Sequence, residues 1–167
     1  MRFVSVGECM IEMSEADAGA YRLGFAGDTL NTAWYARARL PAEWAVDYVT
    51  ALGDDLYSQQ MVEFFAENGL GIGHIMKVEG RRPGLYLIHQ DKGDRHFTYW
   101  RDQSAARLMA EVLGALVEAL GGADIAYFSG ISLAILDARG RGRLLKALHL
   151  SRQGGARVAF DPNERPK

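Results

Sequence analysis

The residues of this chain best placed to do chemistry stand in the run Ala26-Gly27-Asp28-Thr29-Leu30-Asn31-Thr32-Ala33. A glycine turn that opens directly onto a helix leaves backbone N–H groups free to face a polar ligand. Gly27 lets the main chain come close to that ligand, Asp28 or Thr29 is expected to cap the helix, and Asn31 projects one turn in with an amide that both donates and accepts. The same run also reads as an ordinary capped helix start. Other candidate chemistry is thinner. Glu8 and Glu12 share a face but form no catalytic pair, and one of them reads as a structural hydrogen-bonding group. His74, His89, His96 and His149 are scattered along the chain and read as exposed side chains, so no metal cluster is expected. Gly69-Leu70-Gly71-Ile72-Gly73 has the wrong spacing for a dinucleotide fingerprint and follows a helix instead of a first strand, which argues against an oxidoreductase.

The totals narrow the partners. At 167 residues and 49% hydrophobic, the chain suits one good core. Nineteen basic against twenty-one acidic residues give a net charge of −2, with no basic run to track phosphates, so nucleic acid is excluded and small molecules become the default partner. Cys9 is the single cysteine; an internal disulfide is impossible, and a reducing, cytoplasmic setting is expected. The apolar tract from Ile125 to Leu136 is broken by Ser129, Gly130 and Ser132 and falls short of a membrane span.

These residues need elements to position them. Arg2 to Val6 reads as a buried parallel strand closed by Gly7. Cys9 to Ser14 and Tyr21 to Phe25 read as a hairpin around Glu15-Ala16-Asp17-Ala18-Gly19. A helix from Gly27 to Leu40-Pro41, a strand from Val46 to Leu52 and a helix from Leu56 to Asn68 follow, the last ended by Gly69. Gly84 to Gln90 and Arg95 to Arg101 flank Asp91-Lys92-Gly93-Asp94 as a second hairpin. A helix over Ala105 to Leu120, a strand over Ile125 to Phe128, a helix from Asp137 to about Gln153 and a strand over Ala156 to Phe160 complete the chain. The βα alternation predicts an α/β fold, a parallel sheet flanked by helices with right-handed crossovers. The two inserted hairpins, about residues 9–25 and 84–101, predict a small β-sheet lid over a site at the carboxyl ends of the main strands.

Taken together, several segments resemble the 2-keto-3-deoxygluconate kinases of the PfkB, or ribokinase-like, carbohydrate kinase family. They are Val6-Gly7-Glu8-Cys9-Met10-Ile11-Glu12, Phe25-Ala26-Gly27-Asp28-Thr29-Leu30-Asn31-Thr32, Tyr48-Val49-Thr50-Ala51-Leu52-Gly53, Arg82-Pro83-Gly84-Leu85-Tyr86, Tyr99-Trp100-Arg101, Ser129-Gly130-Ile131-Ser132-Leu133-Ala134 and Phe160-Asp161-Pro162-Asn163-Glu164-Arg165-Pro166. The resemblance implies a sugar acid held between body and lid. Gly27 and Asn31 would bind its hydroxyls, Tyr86 and Tyr99 would reach down from the lid, and Ile131 would line the pocket. Arg101 would meet the carboxylate, a task suited to a planar two-pronged donor. Asn163 and Arg165 would lie between the sugar and the phosphate donated by ATP with magnesium. On pattern alone Tyr86 and Tyr99 also fit cross-strand aromatic partners, and Arg101 a solvated strand residue.

The resemblance further implies a chain about twice this length, whose second half carries a Gly-Ala-Gly-Asp or Ala-Ala-Gly-Asp type motif. In the family that motif supplies the anion hole and the aspartate base, and nearby loops hold adenine. None of the 167 residues matches it, so the base is expected beyond Lys167, the chain is expected to be truncated, and tight nucleotide binding is not. Losing a general base costs roughly 10²–10⁴ in rate and losing an oxyanion-type hole roughly 10²–10³ more. These residues alone are therefore expected to be catalytically silent. A non-catalytic sugar-acid binding module and a ribokinase-like kinase for another sugar are the alternatives, and a homo-oligomer formed through the lid is the expected assembly.

Overall fold

The computed structural model describes residues 1–16, 19–91 and 94–164. At its centre is β1 (Arg2–Val6), whose Val4 and Val6 are fully buried. β1 pairs in parallel with β4 (Ala45–Leu52) on one side and β8 (Ile125–Ser129) on the other. The short β5 (Ile75–Lys77) borders β4, and β9 (Arg157–Asp161) borders β8, giving the all-parallel order β5-β4-β1-β8-β9. A strand buried on both faces needs apolar side chains on both, and β1 supplies them: Phe3 packs into one core, Val4 and Val6 into the other.

The helices follow from the same demand. α1 (Asp28–Arg39) and α2 (Leu56–Glu67) cover one face with Leu30, Ala33, Met61 and Phe65. α3 (Leu113–Leu120) and α5 (Ala138–Gln153) cover the other with Leu116, Ala119, Leu144 and Leu148. Asp55 caps α2 by accepting from the Tyr57 and Ser58 N–H groups, and Asp137 caps α5 by accepting from Gly140.

The remaining strands form a second sheet. β2 (Met10–Glu15) and β3 (Tyr21–Ala26) make one antiparallel ribbon, β6 (Gly84–Asp91) and β7 (Asp94–Trp100) another. They join through a parallel β2–β6 pairing, giving the order β3-β2-β6-β7. The register puts Ile11, Phe25 and Leu85 on the face turned to α2, and Met10, Tyr86, Phe97 and Tyr99 on the opposite face.

Three local expectations are corrected. The helix expected over Ala105 to Leu120 is two pieces, a 3₁₀ turn at Ala105–Leu108 and α3, because Ala105, Ala106, Met109 and Ala110 are all buried against the sheet before the chain turns. Neither Asp28 nor Thr29 caps α1; Gly27 holds the cap position without a side chain, and Asp28 is the first helical residue. A short helix, α4 (Gly130–Ile135), and the strand β5 were not expected at all. Asp17 and Ala18 of the first hairpin turn, and Lys92 and Gly93 of the second, lie outside the described residues.

Candidate functional site

β1 is the point at which the strand order reverses, β4 leaving to one side and β8 to the other. In an open parallel sheet the crevice beyond the carboxyl ends at such a point is a natural ligand site. Glu8 follows β1, Ile131 follows β8 and Asn163 follows β9, so three strand ends converge there. Ser129 and Ser132 form a capping box at the start of α4, and the Ser132 hydroxyl donates to the Val6 carbonyl at 2.8 Å, which ties the β8–α4 junction to the end of β1.

Under the lid these ends enclose a cavity of about 180 Å³. Its walls bring together Gly27, Asn31, Tyr86, Tyr99, Arg101, Ile131 and Asn163. Arg165, the remaining sequence-predicted site residue, lies outside the described residues. Two other cavities, about 200 and 400 Å³, contain none of these side chains, while a third, about 280 Å³, shares Tyr99 and Arg101 with the site. Glu8, Met10, Asp28 and Phe97 also line the site. Phe97 had a readable signal, since it sits two residues before Tyr99 on the same strand face.

Each wall has a physical reason. Gly27 is extended, a conformation open to any residue, but a methyl group there would collide with the Glu8 carbonyl oxygen. The missing side chain thus admits the neighbouring loop as well as a ligand. Asp28 Oδ1 accepts from the Thr29 N–H at 2.8 Å, and its Oδ2 accepts from Asn163 Nδ2 at 2.8 Å. Asn163 sits at φ 49°, a left-handed conformation that asparagine tolerates, and its own N–H donates to Asp161 Oδ1 at 2.9 Å. From the lid, the Tyr86 ring packs 5.7 Å from Tyr99 and 6.2 Å from Phe97. Its hydroxyl donates to Glu12, and burial together with that carboxylate pushes the phenol far above its ordinary value.

Arg101 stands at the lid's root, with its guanidinium carbon 5.9 Å from the Tyr99 ring centre. It pairs with Glu8, whose side chain is only 1% exposed against 22% for Arg101. Burial pushes the Glu8 carboxyl above the usual carboxylate range, while Arg101 first, then the Ser104 hydroxyl and, most weakly, Arg107 hold it down. Among the described residues, the site is thus a polar, aromatic-roofed hollow with one guanidinium at its wall and hydrogen-bonding groups at its floor.

Such an arrangement defines an α/β protein with a cavity between its second sheet and the topological switch point of the parallel sheet. The pfkB carbohydrate kinase family profile matches residues 2–167, and the chain belongs to that family. It is 47% identical over 166 residues to 2-dehydro-3-deoxygluconokinase of Escherichia coli K12, covering 97% of this chain and 53% of that enzyme. A fructokinase from Xylella fastidiosa with bound ATP superposes with a TM-score of 0.80 at 26% identity, over 99% of this chain and 49% of that one. The 2-dehydro-3-deoxygluconokinase of Thermotoga maritima shares the fold with a TM-score of 0.84 at 23% identity, over 99% of this chain and 52% of that one. The chain spans about half the length of the relatives it matches. Among the described residues, no helix is long and apolar enough to cross a membrane.

Proposed function

We propose that these residues form the sugar-acid side of a kinase that, when complete, transfers the ATP γ-phosphoryl group to the terminal hydroxyl of 2-dehydro-3-deoxygluconate, giving the 6-phosphate. The observation that carries this reading is that Arg101, Gly27, Asn31, Tyr86 and Tyr99 line one small cavity together. A carboxylate is the partner such a planar fork recognises, and hydroxyls are what a helix start and an amide recognise. Ile131 gives the sugar chain an apolar wall, and Asn163 is proposed to stand between the sugar and the moving phosphate, a role the sequence resemblance extends to Arg165. ATP with magnesium is the proposed donor. In the transfer the sugar hydroxyl oxygen bonds to phosphorus, its proton goes to a base, and ADP leaves.

The base and the anion hole are proposed to come from a glycine-rich Gly-Asp motif that these 167 residues do not contain. The chain by itself therefore binds the sugar acid without turning over ATP in a cytoplasmic, reducing setting. Exposed Leu23, Phe97, Tyr99 and Trp100 on the lid support self-association through that sheet.

Calorimetric titration tests the reading. Arg101→Met should weaken binding of 2-dehydro-3-deoxygluconate about 10- to 100-fold, the worth of a charge-assisted hydrogen bond, and leave binding of a neutral sugar such as fructose nearly unchanged. Equal losses for both sugars would remove the carboxylate role from Arg101. Steady ATP-dependent phosphorylation by the 167-residue chain would show that it holds its own base.

A further inference from the structure

We propose that Glu8 takes up a proton when a sugar acid binds, so that Arg101 can pass from an internal carboxylate to the carboxylate of the substrate. The inference rests on the sugar-acid reading above and extends it to the chemistry of the site's own occupant.

Among the described residues, the cavity wall carries two carboxylates, Glu8 and Asp28, and one guanidinium, that of Arg101. An incoming sugar acid adds a third negative charge. Two carboxylates sharing one cation cannot both stay ionised at low cost, and the site must draw a proton onto one of its acids. Asp28 is already engaged. Its two oxygens are held by the Thr29 N–H and the Asn163 amide, and it stands at the start of α1, where negative charge is favoured. The substrate, a 2-keto acid, is a stronger acid than an ordinary carboxylic acid and keeps its charge.

Glu8 is built differently. One of its oxygens meets Arg101 Nη2, while Oε1 is buried without a hydrogen-bond partner among the described residues. Arg101 Nε is likewise buried and unpartnered, as is the hydroxyl oxygen of Ser104. The backbone of β6 closes over this group, since a methyl placed on Gly84 would lie 3.1 Å from Glu8 Oε1 and 3.2 Å from Arg101 Cβ. Nη1 of Arg101, with no hydrogen bond among the described residues, can meet a second carboxylate. The Ser104 hydroxyl, which steadies the ionised carboxyl, can rotate to accept the O–H of a protonated Glu8.

Among the described residues, the charged and titratable groups facing Glu8 are few. Arg101 approaches from the end of β7, and Arg107 with Ser104 from the 3₁₀ segment. Asp28 faces it from α1, and Tyr86 from β6, its hydroxyl already committed to Glu12. The Cys9 thiol beside it and the Tyr48 phenol on β4 are both pushed well up by burial and stay neutral.

Titration calorimetry of the 167-residue chain at pH 7, in three buffers of different ionisation enthalpy, reads the proton directly. Wild type should take up close to one proton per 2-dehydro-3-deoxygluconate bound and none per fructose. Its affinity for the acid should rise as pH falls, by up to about tenfold per unit. Glu8→Gln should bind the acid at pH 7 no more weakly than wild type, with no proton uptake and a flat pH profile. Acid binding by wild type without buffer dependence, or the same uptake in Glu8→Gln, would overturn the inference and leave the sugar-acid reading standing. Failure of the folded chain to bind the acid would overturn both.

Discussion

At the scale of single residues, the pair of Glu8 and Arg101 sets the character of the site. A buried ion pair is weak support for a fold, yet breaking it from one side strands the other charge. Arg101→Met should therefore lower stability by about 3–5 kcal/mol by leaving Glu8 unpaired, and adding Glu8→Gln should restore most of the loss, as read by chemical denaturation of the single and double variants. The raised Glu8 carboxyl also has a pH signature. Because the folded state holds this proton more tightly than the unfolded chain, the stability it contributes is fully present below the ordinary carboxylate value. That contribution is lost as pH rises through the raised folded value. Melting temperatures across that window should fall in wild type and lack this component in Glu8→Gln. Arg101 stood out in the sequence because it follows two adjoining aromatics, Tyr99 and Trp100. Its partner did not, since Glu8 lies 93 positions away and only the folded lid brings them together.

At the scale of elements, glycines, prolines and caps made most of the chain readable. Pro41 follows the end of α1, Gly69 at φ +71° follows α2, and Asp55 and Asp137 cap helices. Asp55→Ala should cost about 0.5–2 kcal/mol by thermal denaturation, toward the upper end because Asp55 also accepts from the Ser58 hydroxyl at 2.6 Å. The elements that escaped notice are those decided by distant contacts. β5 is three residues long and exists by pairing with Thr50 to Leu52 of β4. α4 starts at a glycine, and its local advantage comes from a serine capping box. The segment from Ala105 to Leu120 has helical composition, but burial of Met109 and Ala110 bends it into two pieces.

At the scale of the whole molecule, the alternation of strands and helices announced a layered α/β body, whereas the strand order depended on which side of β1 each crossover chose. The lid's outer residues carry the assembly prediction. Leu23 and Trp100 share the face opposite the cavity and are 43% and 55% exposed. Sedimentation velocity should show self-association that the double substitution Leu23→Glu with Trp100→Glu reduces; an unchanged profile would place the contact elsewhere. The parallel seam between β2 and β6 bears on biosynthesis too. When the first ribbon leaves the ribosome its neighbour is still untranslated, with positions 27 to 83 to be made first, roughly 3–11 s of elongation at 5–20 residues per second. A two-stranded ribbon is marginal in water, so for those seconds the nascent protein presents an unpaired edge that chaperones are suited to shield.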